Sequence, residues 1–464
     1  MKFALAAFFC LACHTGLAQQ TPLPDSVMVR VHNKGRYYLK KYSVVLDWNT
    51  KYTFSDMGKG KNSGYQKLPF IRTLNHTDVT IVRKRLLNYD EWISQSEIPV
   101  DFIGEKTINK GKVCIEVFAK KKNGQLIVES KVIREDDHAA SAPDTTIKYT
   151  NRPASLGVIG DTADVQTQTK LGVVMMGGGK DVDAAFKWMI SRSGGGDVVI
   201  IRASGTAAYN PYIYELGKVN SVETLKIDSR ELADNDTVAN IIRNAEMLFI
   251  AGGDQSNYMK YWRGTKTMAA INYLLNKKHV PVGGTSAGCA ILGGFYYSGE
   301  IASLTADTAL ANPYHNLVKL YNNDFIHAPY LQNVITDQHY LTRSRQGRHV
   351  VFLARILKDW KANIKGIAAD ERTAVCMDEN GQAVVFGSSK AYFILPNAKK
   401  PPETLAPGTP LTWNRNHQAL KVYEIQGSDT GAGNFDLAKF DLSKASGGNW
   451  LWWWVQDDVL HKNQ

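Results

Sequence analysis

Residues 279–290 read His-Val-Pro-Val-Gly-Gly-Thr-Ser-Ala-Gly-Cys-Ala. A short apolar run stops at two glycines, and Ser286 then stands among residues with almost no side-chain bulk. The pentapeptide Gly284-Thr285-Ser286-Ala287-Gly288 fits Gly-x-Ser-x-Gly, the pattern of a sharp strand-to-helix turn that lifts a serine oxygen above a sheet. Small neighbours are a physical demand of such a turn, because the chain folds back on itself. The plainer alternative is a glycine-rich connection whose serine caps the next helix.

Four runs upstream repeat the theme: LGVVMM at 171–176, DVVIIRA at 197–203, VETLKI at 222–227 and EMLFIAGG at 246–253. Helix-compatible segments separate them, and the first places Val182, Ala185, Phe186, Met189 and Ile190 on one helical face. Continuous apolar runs alternating with amphipathic helices predict an α/β fold, a parallel sheet with helices on both faces. Ligands of such sheets gather at the carboxyl ends of the strands, where the glycines at 177–179, 252–253 and 283–284 would open. Neither a dinucleotide fingerprint nor a P-loop accompanies them, so no cofactor is expected.

The flanks read differently. Residues 25–150 form a β-rich N-terminal region of unassigned role, with a strand at 78–84 and a hairpin of 112–120 and 125–133 turning at Asn123-Gly124. A polar linker follows. Beyond about 380 come short strands at 382–387, 390–395 and 419–425, and the span 396–464 reads as a β-rich extension ending in Trp450 and Trp452 to Trp454. That aromatic cluster reads as strand packing, with carbohydrate or partner binding as the alternative.

Residues 1–18 have the form of a secretory signal peptide, one lysine followed by an apolar run and Gly16-Leu17-Ala18, so export with removal of the leader is expected. A lipoprotein signal ending at Cys13 is the alternative. No later run is long enough to span a membrane. Of the five cysteines, Cys114, Cys289 and Cys376 lie beyond the leader and are too scattered for a disulfide framework. No metal-ligand spacing appears, so no metal is expected. The net charge of +11 is dispersed in strand ends and turns, which argues against nucleic acid as a partner.

A serine hydroxyl needs a base, and the base needs an orienting acid. His279 would lie at the far end of the serine strand, and His32, His76 and His138 belong to the N-terminal region. His339 stands instead in TDQHYLTRSRQGRH at 336–349, which otherwise reads as a charged helix start before the amphipathic run at 350–357. IKGIAADERTAV at 364–375 supplies an acid where an apolar strand ends at Asp370-Glu371.

AGGDQ at 251–255, GGTSAGCA at 283–290, DQHYLTRSRQGR at 337–348 and AADERTAV at 368–375 together resemble, in order and spacing, the cyanophycinase-like serine peptidases. The resemblance covers roughly 170–395. It implies a fold of the class I glutamine-amidotransferase type with serine at the elbow. It implies Ser286 as nucleophile, His339 as general base and Glu371 as the orienting acid, with adjacent Asp370 the alternative. Gln255, Asp337, Gln338, Arg343, Arg345 and Arg348 match the residues lining the family's substrate pocket. The N–H groups of Ala287 and of the Gly252-Gly253 turn, Gly253 in particular, are the candidate oxyanion hole. Cys289 departs from the alanine common in the family, a change between small residues.

The expected activity is hydrolysis of aspartyl-linked peptides, cyanophycin to β-aspartyl-arginine among them. Three arginines fit a carboxylate-rich substrate, with at least one of them expected to be structural, paired with Asp337 or a neighbouring acid. Aspartyl dipeptide hydrolysis is the neighbouring alternative. A secreted esterase would need its acid between Ser286 and His339, at Asp307 or Asp324. An inactive binding protein is disfavoured by the presence of all three triad residues. The expected partner is the peptide or cyanophycin substrate, and a homodimer is compatible with the sequence.

Overall fold

The computed structural model describes residues 27–463 except 36, 47–49, 69–70, 73–75, 85–88, 97–106, 109–110, 123–124, 135–146, 149 and 398. Residues 1–18, the expected leader, the Asn123-Gly124 turn and most of the expected linker lie outside the described residues. The chain forms two compact units, Met1–Ile98 with Lys106–His138, and Pro99–Glu105 with Ala139–Gln464.

In the first unit Val27–Asn33 alternates buried and half-buried residues, as a strand covered on one face must. It pairs parallel with Gly111–Lys122, which pairs antiparallel with Gln125–Arg134 as the hairpin reading expects. A second four-stranded sheet contains Tyr38–Leu46 and His76–Lys84. Val27, Val29, Val31, Val113 and Ile115 share one core with Leu39, Tyr42 and Phe54.

In the second unit the five apolar runs become adjacent parallel strands. Their order is Ser221–Lys226, Asp197–Arg202, Met247–Ile250, Pro281–Thr285 and Gly172–Met176. Successive side chains enter opposite cores. Val173, Met175, Val199, Ile201 and Leu248 share one with Val238, Met259 and Ile271 from three helices. Val174, Met176, Val198, Ile200 and Phe249 share the other with Phe186 and Ile213 from two more. Both faces are therefore dry, which is why these strands read as unbroken apolar runs. Helix Asp183–Arg192 buries Ala185, Phe186, Met189 and Ile190, the face its spacing predicts, and the Phe186 ring meets Phe249 at 4.6 Å.

The sheet extends beyond its parallel centre. Thr373–Asp378 pairs antiparallel with Gly172–Met176, and Gln382–Gly387, Ala432–Asp436 and Asp441–Ser446 continue it; Ser155–Gly160, antiparallel on the opposite edge, completes ten strands. A second, eight-stranded sheet carries Phe295–Tyr297, Val334–Asp337 and Lys365–Ala369 in parallel, then Lys390–Pro396, Leu420–Gln426 and a C-terminal hairpin of Asn449–Gln456 and Val459–Asn463. The β-rich tail thus extends both sheets of one unit. Three-residue strands such as Phe295–Tyr297 are too short to show any period in the sequence. The tryptophans are largely taken up by packing. Trp453 is buried beside Tyr340 and Tyr392, Trp450 lies 4.4 Å from the Tyr423 ring, and Trp454 stacks on His417 and His461.

Candidate active site

Strand Pro281–Thr285 ends at Ser286, whose φ of 50° and ψ of −114° lie outside the helical and extended regions. A four-residue helix, Ala287–Ala290, starts immediately after. Glycines on either side are required by contact. A Cβ at Gly284 would lie 2.5 Å from the Gly288 carbonyl carbon, and one at Gly288 would run into the Ile250 carbonyl oxygen. The Ser286 side chain makes no capping bond to the helix, so the plainer reading of this serine does not hold. Its Oγ lies instead 2.7 Å from His339 Nε2.

His339 follows strand Val334–Asp337 of the other sheet and stands in a turn, not at a helix start; the helix begins at Gln346. Its φ is 49°, and its N–H donates to Gly177 O at 2.7 Å. The ring lies against the glycine turn, where a Cβ at Gly178 would sit 2.6 Å from Nε2. His339 Nδ1 is 2.6 Å from Glu371 Oε1. That contact assigns the ring proton to Nδ1 and leaves Nε2 to accept from the serine hydroxyl. Asp370 is occupied otherwise. Its Oδ1 accepts from Leu341 N–H and Thr342 N–H, both at 2.9 Å, and its Oδ2 from Ser389 Oγ at 2.8 Å. The geometry therefore pairs the histidine with Glu371, while Asp370 ties down the segment that follows it.

Burial holds His339 below its ordinary pKa; the Glu371 hydrogen bond opposes this, and nearby Arg343 and Arg345 add to the depression. The hydrogen bond from His339 keeps Glu371 below the usual carboxylate range. At neutral pH the pair is thus a neutral imidazole beside a carboxylate. If this histidine must be neutral for turnover, activity fails as pH falls through its depressed pKa, and the acidic limb lies below about 6.5. Arg343→Gln removes a depressing charge, so the limb should move to higher pH in a kcat/KM profile; an unmoved or lowered limb would contradict this assignment.

The remaining pocket residues divide. Asp337 and Arg348, 1% and 2% exposed, bind each other through two contacts, Arg348 Nε to Oδ2 at 2.9 Å and Nη2 to Oδ1 at 2.5 Å. Burial would raise Asp337, but Arg348 outweighs it and holds the carboxyl below its usual range. Asp337 and Arg348 thus neutralise each other. Arg345 is 9% exposed and donates to Gln338 O at 3.0 Å; burial, with Arg348 beside it, lowers it to about 9, so it remains a cation. Arg343 is exposed. The buried Gln338 amide oxygen has no hydrogen-bond partner among the described residues. Gln255, half-buried, opens helix Gln255–Trp262 beside Gly299. The Gly252-Gly253 turn borders the serine, since a Cβ at Gly252 would lie 3.5 Å from Ser286 Cβ. Ala287 follows the serine directly. Asp307 and Asp324 are not the acid on this histidine; Asp324 accepts from Tyr296 and Arg263 elsewhere. Among the described residues no group of three or more His, Cys, Asp or Glu could hold a metal ion.

An α/β unit with its serine elbow at the carboxyl edge and a histidine-carboxylate pair against it has the architecture of a serine-type peptidase. Residues 173–385, a little under half of the chain, match the model of Peptidase family S51. It is 26% identical over 184 residues to the cyanophycinase of Trichormus variabilis, a match covering 40% of this chain and 56% of that protein. Against the cyanophycinase of Thermosynechococcus vestitus it is 26% identical over 190 residues, covering 40% and 53%. The chain thus spans just over half the length of the curated relatives it matches. A crystal structure of a peptidase from an acI-B1 Actinobacterium is 17% identical, with 49% of this chain and 91% of that one covered and a TM-score of 0.37, too loose a likeness to bear on function.

Proposed function

We propose that the chain is an exported peptidase that cleaves aspartyl-linked peptides through Ser286, His339 and Glu371. The observation that carries this is the unbroken relay of 2.7 Å from Ser286 Oγ to His339 Nε2 and 2.6 Å from His339 Nδ1 to Glu371 Oε1. Ser286 gives its proton to Nε2 as its oxygen attacks the amide carbonyl. Glu371 holds the tautomer and stabilises the imidazolium. The N–H groups of Ala287 and Gly253 hold the oxyanion, each donor contributing about 3 kcal/mol. His339 then protonates the leaving amine, and water releases the acyl group with the same histidine as base.

Arg345 and Arg343 favour a carboxylate beside the scissile bond. Cyanophycin, an aspartate backbone branched with arginine, meets that condition, but Asp337 is committed to Arg348 and offers nothing to a guanidinium. That commitment favours short aspartyl peptides as a second reading. Incubation with purified cyanophycin and, separately, with aspartyl dipeptides, followed by mass spectrometry, decides between them. β-Aspartyl-arginine release supports the polymer, cleavage of dipeptides alone supports the second reading, and cleavage of neither removes both. Export rests on the leader-like residues 1–18, and a cytosolic location in the native host would count against it.

A further inference from the structure

Gly252 and Gly253 are adjacent residues without side chains, so the peptide between them has the softest flanking torsions a chain can offer. Left alone, such a peptide can turn over and point its N–H the wrong way. One buried group opposes this. Tyr258, 1% exposed, lies in helix Gln255–Trp262 with its ring stacked on Trp262 at 4.2 Å and 10°. Its hydroxyl lies 2.8 Å from Ala251 O and 2.9 Å from Gly252 O, and donates toward both. The Gly252 carbonyl and the Gly253 N–H belong to one planar trans peptide and point in opposite directions. Drawing the carbonyl inward to the tyrosine therefore aims the Gly253 N–H away from it, in a turn that borders Ser286. The fit is close: a Cβ at Gly253 would lie 3.0 Å from the tyrosine oxygen.

We propose that Tyr258 is a positioning residue for the oxyanion hole, fixing the Gly252-Gly253 peptide before the reaction begins. The proposal rests on the peptidase reading above, with Gly253 N–H as one oxyanion donor. It predicts a defect in chemistry without a defect in binding, because the tyrosine touches no substrate.

The test is saturation labelling of the full chain by a fluorophosphonate, read by intact mass. In that reaction the Ser286 Oγ–P bond forms, the P–F bond breaks, fluoride leaves, and the serine proton passes to His339. The phosphoryl oxygen occupies the oxyanion site, so no natural substrate needs to be known. Tyr258→Phe should lower the limiting labelling rate about tenfold, less than the loss of a whole donor, with the half-saturating concentration within roughly twofold of wild type. The acidic limb of labelling should not move, since His339 is untouched. Trp262→Phe, which loosens the ring stack but keeps the hydroxyl, should lower the unfolding midpoint and leave the rate alone. A wild-type rate in Tyr258→Phe, a change in half-saturation only, or equal rate losses in both variants would overturn the proposal. Failure of the underlying reading looks different: wild type would not label, or Ser286→Ala would label as wild type does.

Discussion

Replacing Ser286 with alanine should lower peptide hydrolysis by roughly a millionfold, with the unfolding midpoint and substrate affinity little changed. The expectation follows from geometry. The serine oxygen is the atom His339 Nε2 faces at 2.7 Å, and its removal leaves histidine and carboxylate with nothing to activate. The side chain makes no helix-capping bond, so the fold loses little. Initial rates on whichever aspartyl peptide the wild type cleaves would check it. A variant retaining more than about a hundredth of the wild-type rate would mean that another nucleophile acts, since triad losses in serine peptidases are far larger.

The second large effect is on stability. Asp337→Asn removes one charge of a pair that is almost wholly buried and leaves the Arg348 guanidinium among Leu304 O, Tyr297 and Phe352. Stranding a buried charge in this way costs about 3–5 kcal/mol. For a unit of this size the unfolding midpoint should fall by about 4–7 °C in a thermal melt. A midpoint equal to wild type would show that water reaches the pair, and would restore Asp337 as a group able to meet a cationic substrate.

The sequence was most informative where local rules and tertiary structure agree. Unbroken apolar runs marked the buried parallel strands because both sheet faces are dry. The elbow was legible because backbone contacts at Gly284 and Gly288 leave no room for a side chain, so the pattern is a steric necessity. The family resemblance put Glu371 on His339, but the residues alone, 32 positions apart, left adjacent Asp370 open as the acid. The contact of Glu371 with His339, and the hydrogen bonds that Asp370 accepts from Leu341, Thr342 and Ser389, separate the two carboxylates. That one of the three arginines would pair with Asp337 was foreseeable, but not which, because the bond joins a strand end to a helix across 11 residues. Tyr258 carried no signal at all, since an aromatic residue on a helix reads as core, and its hydroxyl matters only through the peptide it reaches.

The proposed triad is divided between two sheets. Ser286 ends a strand of the ten-stranded sheet, and His339 follows a strand of the eight-stranded one. Glu371 lies where the chain crosses from Lys365–Ala369 in the second sheet to Thr373–Asp378 in the first. One buried side-chain bond, Thr336 Oγ1 to Cys289 O at 2.8 Å, fastens the histidine strand to the elbow helix. The C-terminal hairpin pins Trp453 against Tyr340, next to His339, from more than a hundred residues away along the chain.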